Sequence, residues 1–237
     1  MISLVKINLI NNIDVLFIGQ ESTPLIILDD FVTEPETLIS LACDDNPYHA
    51  QPTDYYPGIR KPSPPNYGEL LSSQLFDLLK KTYQLKGGVA AKTILSAFSI
   101  STTPPSQLRP IQMLPHFDTT ENNQFALVHY LCGAEHGGTS FYRHKQTNYE
   151  RITKIRFLQY TTLLKHQAKA ENLHLAPAYI SNDSSLFERI HGVEARKNRM
   201  IIYPSNLLHS GNIQPQQGLS SDPRKGRLTI SSFISIS

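Results

Sequence analysis

At about residue 92 the apolar residues change their spacing, and that change limits what the chain can fold into. Before it, Leu70, Leu71, Leu75, Phe76, Leu78 and Leu79 recur at helical intervals over residues 68–83. After it, the period is two. Thr93–Ser101, Phe125–Cys132, Gly137–Tyr142, Asn198–Tyr203 and Arg227–Ile234 each read as a strand. Helices with few strands come first and strands dominate afterwards. That order suits a mainly β sandwich or barrel with helices packed against one sheet.

The first third supplies the remaining elements. Residues 3–9 and 13–18 read as a hairpin turning at Asn11-Asn12, and Pro24–Asp30 as a buried strand. A helix over 34–43 would be capped by Thr33 or Asp30, with Glu34 and Glu36 near its positive end. Residues 46–68 are proline-rich and read as a long loop carrying Tyr55, Tyr56, Arg60 and Tyr67. These groups are placed to face a substrate, although a packed surface loop is the plainer reading. Residues 148–168 read as a helix burying Ile152, Ile155, Leu158 and Leu163, whereas 170–185 give no clear period. Gly87-Gly88 separates the two zones in sequence without making two folding units. The expectation is one domain over 1–237, with 1–90 as supporting strands and helices and 91–237 as the β core.

Charge narrows the partners. A net charge of +2 creates no strong field for nucleic acid. The basic residues Arg143, His144, Lys145, Arg151, Lys154 and Arg156 read as a solvated helix face. Two cysteines, Cys43 and Cys132, form neither a disulfide framework nor a zinc-finger spacing and fit a reducing compartment. The first twenty residues lack the layout of a signal peptide, and no run of eighteen apolar residues offers a membrane span. The expected location is the cytoplasm, and a homodimer stays open.

The chemistry gathers at Leu114-Pro-His-Phe-Asp-Thr119. On an extended segment His116 and Asp118 leave the same face, so an imidazole and a carboxylate sit side by side. His209, after the strand that ends at Pro204, is the best candidate for a third ligand. Two histidines and one carboxylate on one face of an iron leave three positions open. Tyr130, Tyr142 and Tyr203 lie on strands and read as core residues with satisfied hydroxyls. Arg199 beside Asn198 reads as the anchor of a strand end.

The order His116-x-Asp118, Gly137-Gly138-Thr139, His209, Arg227-x-Thr229 resembles the iron(II)- and 2-oxoglutarate-dependent dioxygenases, in their prolyl-4-hydroxylase-like branch. Leu25–Glu36 looks like the opening of that branch, and the resemblance covers most of the chain from about residue 25. It implies a double-stranded β-helix, the jelly-roll core of cupins. It also implies an Fe(II) held by His116, Asp118 and His209, with no catalytic residue beyond these ligands. Arg227 would pair with the distal carboxylate of 2-oxoglutarate, with hydrogen bonds from Thr229 and Tyr130. The reaction implied is hydroxylation of a C–H bond in a small metabolite or a peptide or protein side chain, with release of succinate and CO2. The gap from His209 to Arg227 is longer than is common in that branch. Residues 214–225 read as an inserted loop, which leaves Arg224 and Lys225 as alternatives to Arg227. The competing readings are a metal-binding cupin-like protein without 2-oxoglutarate, a non-catalytic binding module and a hydrolytic zinc site.

Overall fold

The computed structural model describes residues 6–9, 13–50, 55–217 and 219–237. In chain order its elements are β1 (Ile13–Ile18), β2 (Thr23–Leu28), α1 (Pro35–Ala42), β3 (Gly58–Pro62), α2 (Pro65–Thr82), β4 (Ala91–Ser101), β5 (Gln124–Tyr130), β6 (Thr139–His144), α3 (Lys154–Ala170), β7 (Phe187–Val193), β8 (Arg199–Pro204), β9 (His209–Gly211) and β10 (Leu228–Ile236). A seven-stranded sheet runs β1-β2-β8-β5-β10-β4-β3, and a three-stranded sheet runs β7-β6-β9. All the pairings are antiparallel.

The period of two decides what each face of the large sheet meets. Ala126, Tyr130, Ile201 and Tyr203 point between the sheets and meet Phe141, Val193 and Leu207. Alternate residues, including Phe125, Leu127, Ile202, Ile230 and Ile234, point outward under the helices. There they receive Leu38 and Ile39 of α1 and the Leu71, Leu75 and Leu79 stripe of α2. Burying each such leucine contributes roughly 1.5–3 kcal/mol. The chain is thus a mainly β jelly roll of the cupin-like kind, with helices flanking one sheet. Among the described residues no helix is long and apolar enough to cross a membrane. Cys43 and Cys132 are both free thiols.

Several local expectations change. Asn11-Asn12, the turn of the expected first hairpin, lies outside the described residues. Residues 13–18 pair instead with β2, while Ile7 bridges Val32. The β1–β2 turn is built on Gly19 at φ +69°, where a Cβ would sit 2.2 Å from a carboxylate oxygen of Glu150. That carboxylate accepts the backbone N–H groups of Gln20 and Glu21. The proline-rich loop contains β3 as an edge strand, and Pro65 opens α2, where a missing N–H does no harm. Neither Thr33 nor Asp30 caps α1; Glu34 takes the N-cap position without a side-chain bond.

The third helix buries Tyr160, while Ile155 and Leu158 are exposed and Ile152 is buried ahead of the helix. The basic run is no solvated helix face. Arg143 lies on β6 and pairs with Glu150 and Glu188, and Arg151 and Arg156 pair with Glu21. Strand β7, at Phe187–Val193, lies beyond the ambiguous stretch 170–185 and has no counterpart among the expected strands. Arg199 does anchor a strand end, through two bonds to Asp29 of 2.6 and 2.9 Å.

Candidate metal centre

Backbone bonds bring the separated ligand candidates together. His116 N–H donates to the His209 carbonyl at 2.9 Å, and His209 N–H returns the bond to His116 at 2.9 Å. Asp118 N–H donates to the Ser205 carbonyl at 2.8 Å. The segment around His116 is therefore docked on the turn that leads into β9. Two short 3-10 turns, Pro105–Gln107 and Pro110–Met113, precede it. Pro104, Pro105, Pro110 and Pro115 lack the N–H groups that a strand ladder would use.

The side chains converge from these anchors. His116 Nε2 is 4.0 Å from Asp118 Oδ1, and His209 Nε2 is 3.8 Å from Asp118 Oδ2. One ligand atom from each residue lies within 4.8 Å of the others, so a single small cation can reach all three. His116 stands at the rim with 46% of its side chain exposed, against 18% for Asp118 and 7% for His209.

The local chemistry prepares two of these groups for a cation. His209 Nδ1 lies 2.8 Å from the Leu207 carbonyl, which can only accept. The proton is therefore on Nδ1, and the Nε2 lone pair faces Asp118. Burial pushes the His209 pKa down to about 4, opposed by the Leu207 bond, so the ring is neutral near pH 7. Loss of solvent pushes Asp118 up to about 6 against the pull of His116 and Arg60, and it is still mostly ionised at neutral pH. A neutral imidazole and a carboxylate are the forms that bind a metal.

The other predicted residues line the inside of the barrel. Arg227 sits just before β10, is 5% exposed, and lies with its guanidinium carbon 5.7 Å from the centre of the Tyr130 ring. Its Nη2 donates to the Gly138 carbonyl at 2.9 Å and its Nε to Gly137 at 3.4 Å. Gly137 is at φ +75°, and a Cβ there would lie 1.6 Å from the Asn212 carbonyl oxygen. The glycine pair thus makes both the tight turn and the seat of Arg227. The Tyr130 hydroxyl is bonded to Thr139 at 2.7 Å, and Thr229 donates to the Ser99 carbonyl at 3.4 Å. Thr229 and Tyr130 are direct partners across β10 and β5. Arg224 and Lys225 are exposed on the inserted loop, outside this interior. His129 and His144 are occupied elsewhere, the first by Tyr67 and Asn198, the second by Thr147 and Gln167.

Two residues gain a place that sequence reasoning did not give them. Tyr203, read as core, packs its ring 4.8 Å from that of His209. Arg60, read within a loop, lies on β3 opposite Ser99, stacks on Tyr56 at 4.3 Å and acts on Asp118 electrostatically. Alternation on β8 put Tyr203 on the inner face, but no local signal tied either residue to His209 or Asp118.

Residues 11–234 match the sequence profile of DUF6445, described as a family of unknown function. The chain belongs to that family. No curated protein matches it. Among solved structures it is similar to HygX from Streptomyces hygroscopicus crystallised with nickel and 2-oxoglutarate bound. The two are 12% identical with a TM-score of 0.51, over 91% of this chain and 84% of HygX. The iron-bound crystal structure of HygX gives 10% identity and a TM-score of 0.50, over 91% and 83%. At such identities the likeness is one of fold. The jelly roll implied by the resemblance to 2-oxoglutarate oxygenases is thus the fold that this DUF6445 chain adopts.

Proposed function

We propose that the chain is an iron(II)- and 2-oxoglutarate-dependent oxygenase built as one domain. It would hydroxylate a C–H bond of a small metabolite or of a peptide or protein side chain. The observation that carries this reading is the convergence of two Nε2 atoms and one carboxylate within 4.8 Å. A His–Asp–His set of this kind suits iron(II) and leaves positions open for a cosubstrate. When bound, iron(II) would supply the activation of O2 with 2-oxoglutarate, which is decarboxylated to succinate and CO2 as one oxygen atom enters succinate and the other the substrate C–H bond.

The chain's own residues orient and charge the site. The Leu207 carbonyl holds the His209 tautomer, and burial keeps that ring unprotonated. Asp118 supplies the one carboxylate of the set, steadied by its backbone bond to Ser205. Arg227 uses two of its five N–H donors on the glycine carbonyls, which leaves three for an incoming carboxylate. Thr229 and Tyr130 add hydroxyls beside it. The loops of 46–68, with Tyr55 and Tyr56, and of 212–225 would be the substrate-side walls in this reading.

A second reading keeps the metal and drops the cosubstrate. It is favoured by the bonds Arg227 already makes to Gly137 and Gly138, which are enough for a structural role. Turnover of 2-oxoglutarate to succinate by the iron(II)-loaded protein, lost in Arg227→Met, supports the oxygenase. Iron binding with no such turnover supports the cupin-like alternative.

A further inference from the structure

The interior of the barrel holds a hydroxyl that packing does not explain. Tyr203 is 2% exposed; its ring meets Phe141 edge-on at 5.0 Å and His209 at 4.8 Å. Its hydroxyl has no hydrogen bond to a described residue and, unlike those of Tyr142 and Tyr160, it is not sealed off from the interior space. A buried phenol ordinarily finds a partner, because leaving its O–H unmade is unfavourable. Tyr67, Tyr83 and Tyr130 each have one.

The position of the hydroxyl sets it apart. Tyr203 packs on His209 at 4.8 Å and shares the inner apolar cluster with Tyr130, over whose ring the Arg227 guanidinium lies at 5.7 Å. It thus neighbours both the metal-ligating group and the cationic end of the barrel, and Asp118 and Arg227 both act on it electrostatically. Tyr142 and Tyr160 also have buried hydroxyls without a bond, but they pack in a separate cluster with Phe187 and Leu208. Tyr203 is the one of the three whose surroundings include both ends of the candidate site.

We propose that Tyr203 is a ligand-binding residue of this site. Its hydroxyl donates a hydrogen bond to an oxygen of a 2-oxo acid that reaches from His116, Asp118 and His209 to Arg227. This rests on the oxygenase reading and adds to it a donor at the middle of the acid. A hydroxyl kept for a ligand gives the free protein nothing, so removing it leaves the free fold as stable as before or more so.

The test uses Tyr203→Phe, which keeps the ring and its contacts. Nickel(II) is titrated calorimetrically into the wild type and the variant, and 2-oxoglutarate is then titrated into each nickel-loaded protein. Nickel affinity is expected to stay within about twofold, while the 2-oxoglutarate Kd rises about tenfold to a hundredfold, the range for a bond to a charged acceptor. The ligand-free melting temperature is expected to stay level or rise. Equal 2-oxoglutarate Kd values in the two proteins overturn the role of Tyr203 alone, as does a clear fall in the ligand-free melting temperature. A wild type that binds nickel but no 2-oxoglutarate overturns the cosubstrate reading and this proposal with it. A wild type that binds neither overturns the metal centre as well.

Discussion

Replacing Arg227 separates a cosubstrate anchor from a structural brace. Its guanidinium is buried and already holds the carbonyls of Gly137 and Gly138. Arg227→Met keeps most of the volume and removes every donor. Losing those carbonyl partners costs the fold about 1–3 kcal/mol, which urea unfolding resolves. Losing a charge-assisted pair with a carboxylate costs a further 1.5–3 kcal/mol of binding, or roughly a 10- to 150-fold rise in Kd. Arg227→Lys keeps the charge but replaces a planar fork by a point contact, so its Kd should rise less, by about tenfold. Arg224→Ala and Lys225→Ala alter exposed side chains and should leave the Kd unchanged. The assay is calorimetric titration of 2-oxoglutarate into nickel-loaded protein, run beside the unfolding curves. If Arg227→Met loses stability but keeps its affinity, Arg227 is a brace only. If Arg224→Ala loses affinity, the inserted loop carries the anchor.

Three further outcomes follow from the site and its supports. Asp118 must be ionised to hold a cation, and its pKa stands near 6. Nickel affinity should therefore be level above pH 7 and fall by up to about tenfold per unit below pH 6; a flat profile between pH 5 and 7.5 would refute the desolvated carboxylate. Glu150 is fully buried and takes bonds from Gln20, Glu21 and Arg143. Glu150→Ala should cost about 1–3 kcal/mol in urea unfolding by leaving the Gln20 and Glu21 N–H groups without their acceptor and Arg143 with Glu188 alone, and a loss under 1 kcal/mol would count against this network. Arg199 beside Asp29 holds that carboxyl below its ordinary range. A pKa depressed on folding gives stability that is present above the unfolded value and lost as the pH drops through the folded one. Asp29→Asn should thus flatten the loss of stability between about pH 5 and pH 3, measured by thermal melts.

The parts of this molecule that sequence made legible are those with local signatures. Alternation over Arg227–Ile234 and Asn198–Tyr203 corresponds to β10 and β8, and the leucine stripe of 68–83 to α2. His116 and Asp118 are two positions apart, so their proximity needed no tertiary knowledge. His209 and Arg227 were picked out by order along the chain, and both are buried, one at the start of β9 and the other just before β10. Strand β7 was hidden because a bulge opposite Phe141 and Tyr142 breaks its period. Strand β3 was hidden by prolines, which an edge strand tolerates. The wrong face was assigned to α3 because Ile155 and Leu158 are apolar yet exposed, while the buried contact is Tyr160 against Phe117 and His144. The Leu207 carbonyl that fixes His209 and the unbonded hydroxyl of Tyr203 are properties of the closed barrel, with no trace in residue spacing.

The central claim is that His116, Asp118 and His209 hold one metal ion. The most direct measurement is the stoichiometry and affinity of iron(II) binding, taken anaerobically on the wild type and on His116→Ala. His116 is half exposed at the rim, so its removal should spare the fold. One tightly bound ion per chain is expected in the wild type. Loss of tight binding with an unchanged metal-free melting temperature is expected in His116→Ala. A wild type that binds no iron, or a variant that binds it as well as the wild type, would contradict it.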